Sequence, residues 1–558
     1  MKRELENITG KEYDLLIVGG GMYGAALVWE AVSRGLSVAL IEKQDFASGT
    51  SGNSLKIIHG GLRYLQSLDI KRMLESIRER KILLKIAPHL VFPLPCLMPT
   101  YGLTMKSKHV MLAGMIMNDL ISFNRNFGSD PQKRIPNGKV ISKKACEREL
   151  PKLKEDFFTG AALWNDAQAY NTERLALSFV LSAAQGGADV LNYVEATDFL
   201  KQGSKVVGVK AKDNLTGVEF ELKSKMIVTT AGPWTNKLSA RLTDNSGNNK
   251  FILSKAINLI LKRNITRDYA FGISSPVEFR NGKKYNRQKR RLLFVAPWRD
   301  YTIVGTSHLP YDGETDDFRV SENDIQDFLL ELNDIMPEIK LKREDVTNFH
   351  GGVLPLAALP EDGKDVQLLP HYRILDYAKE KGIDGIISVV GVKYTTARDV
   401  AEKTMDMVSK RIGVKTRAFS TRTEPLYGGT IADFQSFVDE AVNNGNTGLP
   451  EPVLKQLLYN YGQEYKKIIE VINEKPEYAE PVEKTAKVIK AEIIHAARYE
   501  YAQKLLDVVL RRTEWGAGEC PGDSGLRSCA EILANELGWD EKRIQTEIEE
   551  VKAHYRTL

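Results

Sequence analysis

Three glycines, Gly19, Gly21 and Gly24, fall in the spacing G-x-G-x-x-G between an apolar run, YDLLIV at 13–18, and a segment of small residues. This spacing suits the binding of a dinucleotide pyrophosphate. The first glycine permits a tight turn, the second lets the backbone approach the phosphates, and the third lets a helix pack closely on the strand. A helix starting there aims unpaired N–H groups and the positive end of its dipole at the anion. Met22, inside the fingerprint, joins the same binding set. Glu42, 23 residues after Gly19, closes a second apolar run, LSVALI at 36–41. It is placed to accept hydrogen bonds from a ribose hydroxyl. Its charge repels a 2′-phosphate, which disfavours NADP; this unit alone does not choose between FAD and NAD.

The elements that must carry these residues form a βαβ unit. YDLLIV and LSVALI read as buried parallel strands, and Gly24–Arg34 as the helix between them, with Gly35 at its C-terminal cap. Further on, 189–194, 205–211 and 218–222 read as strands, and Thr216-Gly217 as a hairpin turn between the last two. The runs LLFVAPW and YTIVGT within 292–309 read as another hairpin. Strand-like runs stop after about residue 400. Helical patterns follow at 453–474, 482–513 and 528–554, so a domain boundary is expected in 410–430.

Composition narrows the class. The chain has 558 residues, 42% hydrophobic and 27% charged, with a net charge of +5. This excludes a disordered chain and a disulfide miniprotein, and the interleaved charges give no sign of a nucleic-acid binder. Cys96, Cys146, Cys520 and Cys529 form no CxxC pair, so no metal site is expected. The low cysteine count and the N-terminus, which lacks a secretory pattern, fit a cytoplasmic protein. The apolar stretch Val110–Phe123 is too short to span a bilayer and is interrupted by Asn118 and Asp119. It reads as a partly buried helix, with an in-plane membrane contact as the alternative.

The stretch after Glu42 adds more specific motifs: Asp45-Phe46-Ala47-Ser48-Gly49-Thr50-Ser51, then His59-Gly60-Gly61-Leu62-Arg63-Tyr64-Leu65. With Ala231-Gly232-Pro233-Trp234, Gly391-Val392-Lys393-Tyr394-Thr395-Thr396 and Leu510-Arg511-Arg512-Thr513, the chain closely resembles the FAD-dependent glycerol-3-phosphate dehydrogenase and oxidase family of D-amino-acid-oxidase-like flavoproteins. The resemblance implies an α/β fold. It combines a Rossmann-type FAD-binding domain (1–410), an interleaved antiparallel-sheet substrate domain (roughly 85–160 and 250–350) and an all-helical C-terminal domain (425–558). It implies one FAD and oxidation of the secondary alcohol of glycerol 3-phosphate, or a related polyol phosphate, with electrons passing to a quinone or to oxygen. A peripheral contact with the inner face of the cell membrane and a homodimer are both compatible with it.

By resemblance, His59, Arg63, Tyr64 and Lys393 fall in the catalytic pocket. A histidine suits the proton removal that accompanies hydride loss, an arginine can hold an anion in a fork, and a lysine offers a point charge. His350 and His308 compete with His59 as the base. Gly19, Gly21, Met22, Gly24, Glu42 and Lys43 are expected at the cofactor, with Thr50 and Ser51 at its pyrophosphate and Lys56 in the same segment. Val194 is expected to meet adenine through its backbone. Ala231, Gly232, Gly391, Lys393, Tyr394 and Thr395 complete the cofactor set.

The pattern breaks where the substrate is expected. The family's phosphate-gripping arginine in Gly-x-Arg-Pro-Leu is Leu354 here, in Gly352-Val353-Leu354-Pro355-Leu356. Either another cation takes over, with Arg299, Arg373 and Arg398 as candidates, or a different hydroxy or amino substrate is used. His371 and Arg373 lie where a second family arginine is expected.

Overall fold

The apolar run becomes the strand Glu12–Val18, at the centre of a sheet whose interior is dry on both faces. Leu15, Leu16 and Ile17 are fully buried. In this computed structural model the sheet runs, from edge to edge, Arg373–Asp376, Ile386–Val390, Glu219–Thr229, Glu12–Val18, Val38–Ile41 and Asp189–Leu191. All these neighbours pair in parallel except the outermost strand, Arg373–Asp376. Val194–Gln202 and Lys205–Asp213 extend from Glu219–Thr229 as an antiparallel meander. The structure describes all residues except 1–2, 103–105, 152, 154–157, 244–249, 360–365, 416, 418–420, 446 and 558, and except the side chains of residues 63, 66, 67, 288, 289 and 444.

The helix of the βαβ unit, Met22–Ser33, starts at Gly21 and packs against the helices Thr172–Gln185 and Ala397–Ile412. Gly24 lets the helix start close against the strand ends, because a Cβ there would lie 1.9 Å from the Gly19 carbonyl oxygen and 2.7 Å from Thr230 Oγ1.

A second, mainly antiparallel sheet runs Val346–Pro355, Leu253–Leu261, Tyr301–Tyr311, Lys283–Trp298, Ala270–Arg280, Val91–Tyr101, Phe158–Ala169 and Ile57–Ile58. Its one parallel pairing on this path joins Val91–Tyr101 to Ala270–Arg280. The helix Glu322–Ile335, opened by a Ser321–Asp324 capping box, covers one face with Ile325, Phe328, Leu329 and Leu332. Alternation along Leu253–Leu261 sends Ile257 and Leu259 into that core and leaves Ala256 and Asn258 facing the cavity described below.

The stretch Val110–Phe123 is helical over Lys108–Ile121, but only Met115 of the helix is buried. Its outer face, with Phe123 and Phe127 beyond it, is apolar and exposed, so the helix is partly buried as expected and leaves an apolar face open. The inner face packs on the short helical turn Leu62–Ser67, where Leu65 lies against Gly114.

The C-terminal region is helical: Phe434–Asn444, Glu451–Tyr461, Tyr465–Glu474, Lys490–Tyr499, Asp523–Leu537 and Glu541–His554. The expected unbroken patterns are divided. Gly462 separates two helices, and Gly538, at positive φ, ends another. Within 482–513 the helix stops at Tyr499 and the chain turns at Tyr501 before a widened, π-helical segment, Val508–Arg512. That turn delivers two arginines to the nucleotide-binding region. Asp45, fully buried, accepts from Arg512 at 2.5 and 2.7 Å, from Arg511 at 2.5 Å and from Asn192 at 2.9 Å. Burial alone would raise the Asp45 carboxyl, but the Arg512 and Arg511 charges outweigh it and hold it well below the usual range. Arg174 and Glu500 form a second buried pair at 2.6 Å, and Arg174 also donates to the Arg512 carbonyl.

Removing one partner of such a buried network leaves charges without compensation, at a cost of about 3–5 kcal/mol. Asp45→Ala is therefore expected to lower the thermal unfolding midpoint sharply, measured by circular dichroism. The wild-type protein is expected to lose the same stabilisation as the pH falls below about 4, where an unfolded aspartate takes up its proton.

Candidate active site

A cavity of about 400 Å³ opens where the C-terminal ends of the parallel strands meet the second sheet. Gly19, Gly21, Met22, Glu42, Lys43, Thr50, Ser51, Val194, Ala231, Gly232, Gly391, Lys393, Tyr394 and His59 all line it. Gly19 sits at φ +112, and a Cβ there would meet the Thr230 carbonyl at 2.8 Å. The Gly20 amide donates to Glu42 Oε2 at 2.6 Å, the Gln44 amide to Oε1 at 2.9 Å, and the Met22 amide to Ser51 Oγ at 2.9 Å. Burial pushes the Glu42 carboxyl up despite these donors. The Val194 amide donates to the Glu42 carbonyl, which sets the meander beside the carboxylate. Lys43 and Lys237 both pair with Asp316, at 2.6 and 2.7 Å, and Trp234 Nε1 donates to it at 2.6 Å. Asp316 thus straps this end of the cavity from the side of the second sheet. Partial burial raises its carboxyl, but hydrogen bonds from Lys237, Lys43 and Trp234 outweigh it and hold it well below the usual range.

At another part of the cavity His59 is about half exposed, at 48%, and its Nδ1 lies 3.0 Å from Asp166 Oδ2. Asp166 is buried on Phe158–Ala169. Its other oxygen accepts from the Gly60 amide at 2.7 Å and from Arg80 at 3.0 Å. Burial raises this carboxyl, and the hydrogen bond and charge of His59, with the charge of Arg80, pull it below its ordinary value. A carboxylate kept ionised behind Nδ1 fixes the tautomer with Nδ1–H and leaves Nε2 as the proton acceptor. The competing histidines are placed differently. His350 is buried outside the cavity lining, with Nδ1 donating to the Ser54 carbonyl, and burial pulls it down to about 3. His308 lines the cavity, but burial followed by the Arg291 charge pulls it to about 4.

The remaining expected residues are not all at the cavity. Lys56 is fully buried, its ammonium 2.7 Å from Glu173 and over the Trp298 ring, and it is not in the lining. Thr395 is buried behind the lining, and Gly24 acts through packing. Tyr64 stands beside Lys393, whose ammonium is 4.4 Å from the ring centroid. Arg63 falls on the turn Leu62–Ser67, with its side chain outside the described residues.

Residues 14–391 match the family described as FAD dependent oxidoreductase, and 419–544 match the C-terminal domain of alpha-glycerophosphate oxidase. Aerobic glycerol-3-phosphate dehydrogenase of Staphylococcus haemolyticus is 30% identical over 91% of this chain and 88% of its own. The mitochondrial glycerol-3-phosphate dehydrogenase of Mus musculus is 31% identical over 98% of this chain and 74% of its own. This chain belongs to the FAD-dependent glycerol-3-phosphate dehydrogenase family. Its fold matches the crystal structure of glycerol-3-phosphate dehydrogenase from Bacillus halodurans, with a TM-score of 0.76 at 24% identity over 99% of this chain and 96% of the other.

The cofactor of this dehydrogenase family member is therefore FAD, and the cavity fits it. The glycine cradle excludes side chains where a pyrophosphate approaches, the Met22–Ser33 helix starts there, and a buried acid stands at Glu42. Glu42 and Val194 suit the adenosine half. Thr50, Ser51 and the helix start suit the pyrophosphate, and Gly391, Lys393 and Tyr394 suit the ring end. Sequence reading left out Asp166 as the partner of His59, and also Arg80 and Arg72. Asp166 carried a signal, an inward-facing acid within a strand. The two arginines sit in a helix, Ile70–Ile86, crowded with charges, where spacing singles out none of them.

An exposed pair contributes up to about 1 kcal/mol, which is roughly fivefold in an equilibrium constant. Asp316→Ala is expected to weaken FAD retention by about that factor, read from the flavin fluorescence that appears on dilution of the holoenzyme.

Proposed function

We propose that this protein oxidises the secondary alcohol of glycerol 3-phosphate to the ketone, dihydroxyacetone phosphate. The observation that carries the reading is the His59–Asp166 pair, half open to the cavity in a chain whose named relatives are glycerol-3-phosphate dehydrogenases. FAD, when bound, supplies the acceptor for the hydride leaving the carbinol carbon. The hydroxyl proton goes to His59 Nε2, and the C–O single bond becomes a carbonyl as both hydrogens leave. Asp166 stabilises the positive charge that develops on the imidazole, and Arg80 and the Gly60 amide hold Asp166 in place. General-base catalysis of this kind contributes about 10²–10⁴-fold.

Anaerobic titration of the holoenzyme with glycerol 3-phosphate is expected to bleach the flavin absorbance. His59→Gln is expected to slow that bleaching by about 10²–10⁴-fold with FAD still bound. A wild-type flavin that dithionite reduces and glycerol 3-phosphate does not would refute the reading.

An anionic lipid surface is the partner supported by the exposed face of Lys108–Ile121, which also bears on where the electrons go next. Leu120, Phe123 and Phe127 are 65%, 84% and 85% exposed, and Lys106 and Lys108 flank the start of the helix. Apolar residues on one face with cations at the rim are the pattern of a helix lying in the interface. No described helix is long and apolar enough to cross a membrane. Because the inner face packs on the turn that carries Tyr64, this contact brings the catalytic end of the cavity towards the lipid, where a quinone would be the acceptor. The triple variant Leu120→Ser, Phe123→Ser, Phe127→Ser is expected to lose co-sedimentation with vesicles containing phosphatidylglycerol and to keep flavin bleaching by substrate.

A further inference from the structure

Leu354 lines the cavity where the resemblance leads one to expect an arginine for the substrate phosphate. The candidates named from sequence are all committed elsewhere. Arg299 is hydrogen-bonded to Asn171 and stacked on Trp298. Arg398 is buried in a two-bonded pair with Glu79, both distances 2.7 Å, and also pairs with Glu402. Arg373 lies over the Phe251 ring, on the edge strand Arg373–Asp376.

A cation from another element, itself outside the lining, shares an aromatic ring with the lining residue Lys393. Arg72, in the first turn of Ile70–Ile86, places its guanidinium 4.7 Å from the centroid of the Tyr64 ring. The Lys393 ammonium lies 4.4 Å from the same centroid. Arg72 also donates to His371 Nε2 at 3.1 Å, so that imidazole accepts there and keeps Nδ1–H as a donor. Asp69 approaches Arg72 at 2.8 Å, while nearby Glu75 is taken by Lys403. Arg72 and Lys393, far apart in sequence, therefore meet over one aromatic ring, with His371 bonded to Arg72 and one directly paired carboxylate beside the two cations among the described residues. Burial, then the charge of Arg72, pulls Lys393 down to about 8, as expected where positive charge is not fully matched.

We propose that Arg72, with Lys393 and His371, forms the phosphate subsite of this enzyme in place of the arginine that Leu354 displaces, and that its ligand is a phosphomonoester dianion. The proposal rests on the function given above. The guanidinium fork matches two phosphate oxygens, Lys393 supplies a point charge, and the imidazole positions the fork and offers a further donor.

The test uses the holoenzyme and reads phosphate binding apart from turnover. Inorganic phosphate is titrated against the flavin absorbance spectrum, and KM and the limiting bleaching rate are measured with glycerol 3-phosphate. Arg72→Gln is expected to weaken phosphate binding and raise KM by about ten- to a hundredfold, with the loss falling mainly on KM. Arg72→Lys, which keeps charge and helix but loses the fork, is expected to fall between. Adding Leu354→Arg to Arg72→Gln is expected to recover most of the loss. Phosphate affinity and KM within twofold of wild type in Arg72→Gln, or no phosphate binding by wild type, would overturn the proposal. Arg72-dependent phosphate binding without bleaching by glycerol 3-phosphate would uphold the subsite and reject the substrate.

Discussion

Asp45 is a charged side chain at zero exposure, held between two arginines from the helical region. A carboxylate in that position is tolerable only while both guanidinium groups remain with it. Asp45 follows Glu42 by three residues and opens the loop that supplies Thr50 and Ser51 to the cavity. The shape of the cofactor loop is thus dictated from across the molecule. The βαβ unit provides the phosphate cradle, and the helical region fixes the chain that leaves it.

The cavity is the product of two sheets with different logic. The parallel sheet presents backbone: glycines, a helix start and amide donors, which suit a large anionic cofactor. The antiparallel sheet presents side chains in alternation, and its inward positions can vary without disturbing the other face. Leu354 lies on such a strand, so a change there alters the cavity wall and leaves the glycine cradle intact. Asp166 shows the same arrangement, since a strand position holds an acid behind a histidine that a loop presents.

Much of this was legible in the sequence because it is local. Gly19, Gly21, Gly24 and Glu42 lie within one βαβ unit, and their roles follow from spacing. The alternation in 292–309 predicts the hairpin that forms between Lys283–Trp298 and Tyr301–Tyr311. What sequence reading missed is non-local. Lys56 looks like a cofactor contact because of its neighbours, but a buried Glu173 draws its ammonium away. Arg72 is one of many charges on its helix, and it stands out only when Lys393 and His371 are brought beside it from more than 290 residues away. The expected helix over 482–513 breaks near Tyr501 because the chain there must turn Arg511 and Arg512 towards Asp45, a demand no helical pattern records.

Asp45 and Arg512 are 467 positions apart. A ribosome makes the nucleotide cradle early and the residues that hold its loop very late. For most of synthesis the fingerprint exists without the contacts that complete its binding loop, so secure cofactor loading belongs to the released chain. The same separation means that cutting the polypeptide after the last parallel strand does not yield a self-sufficient flavin module. It yields a cradle whose loop carboxylate keeps Asn192 but has lost both of its arginines.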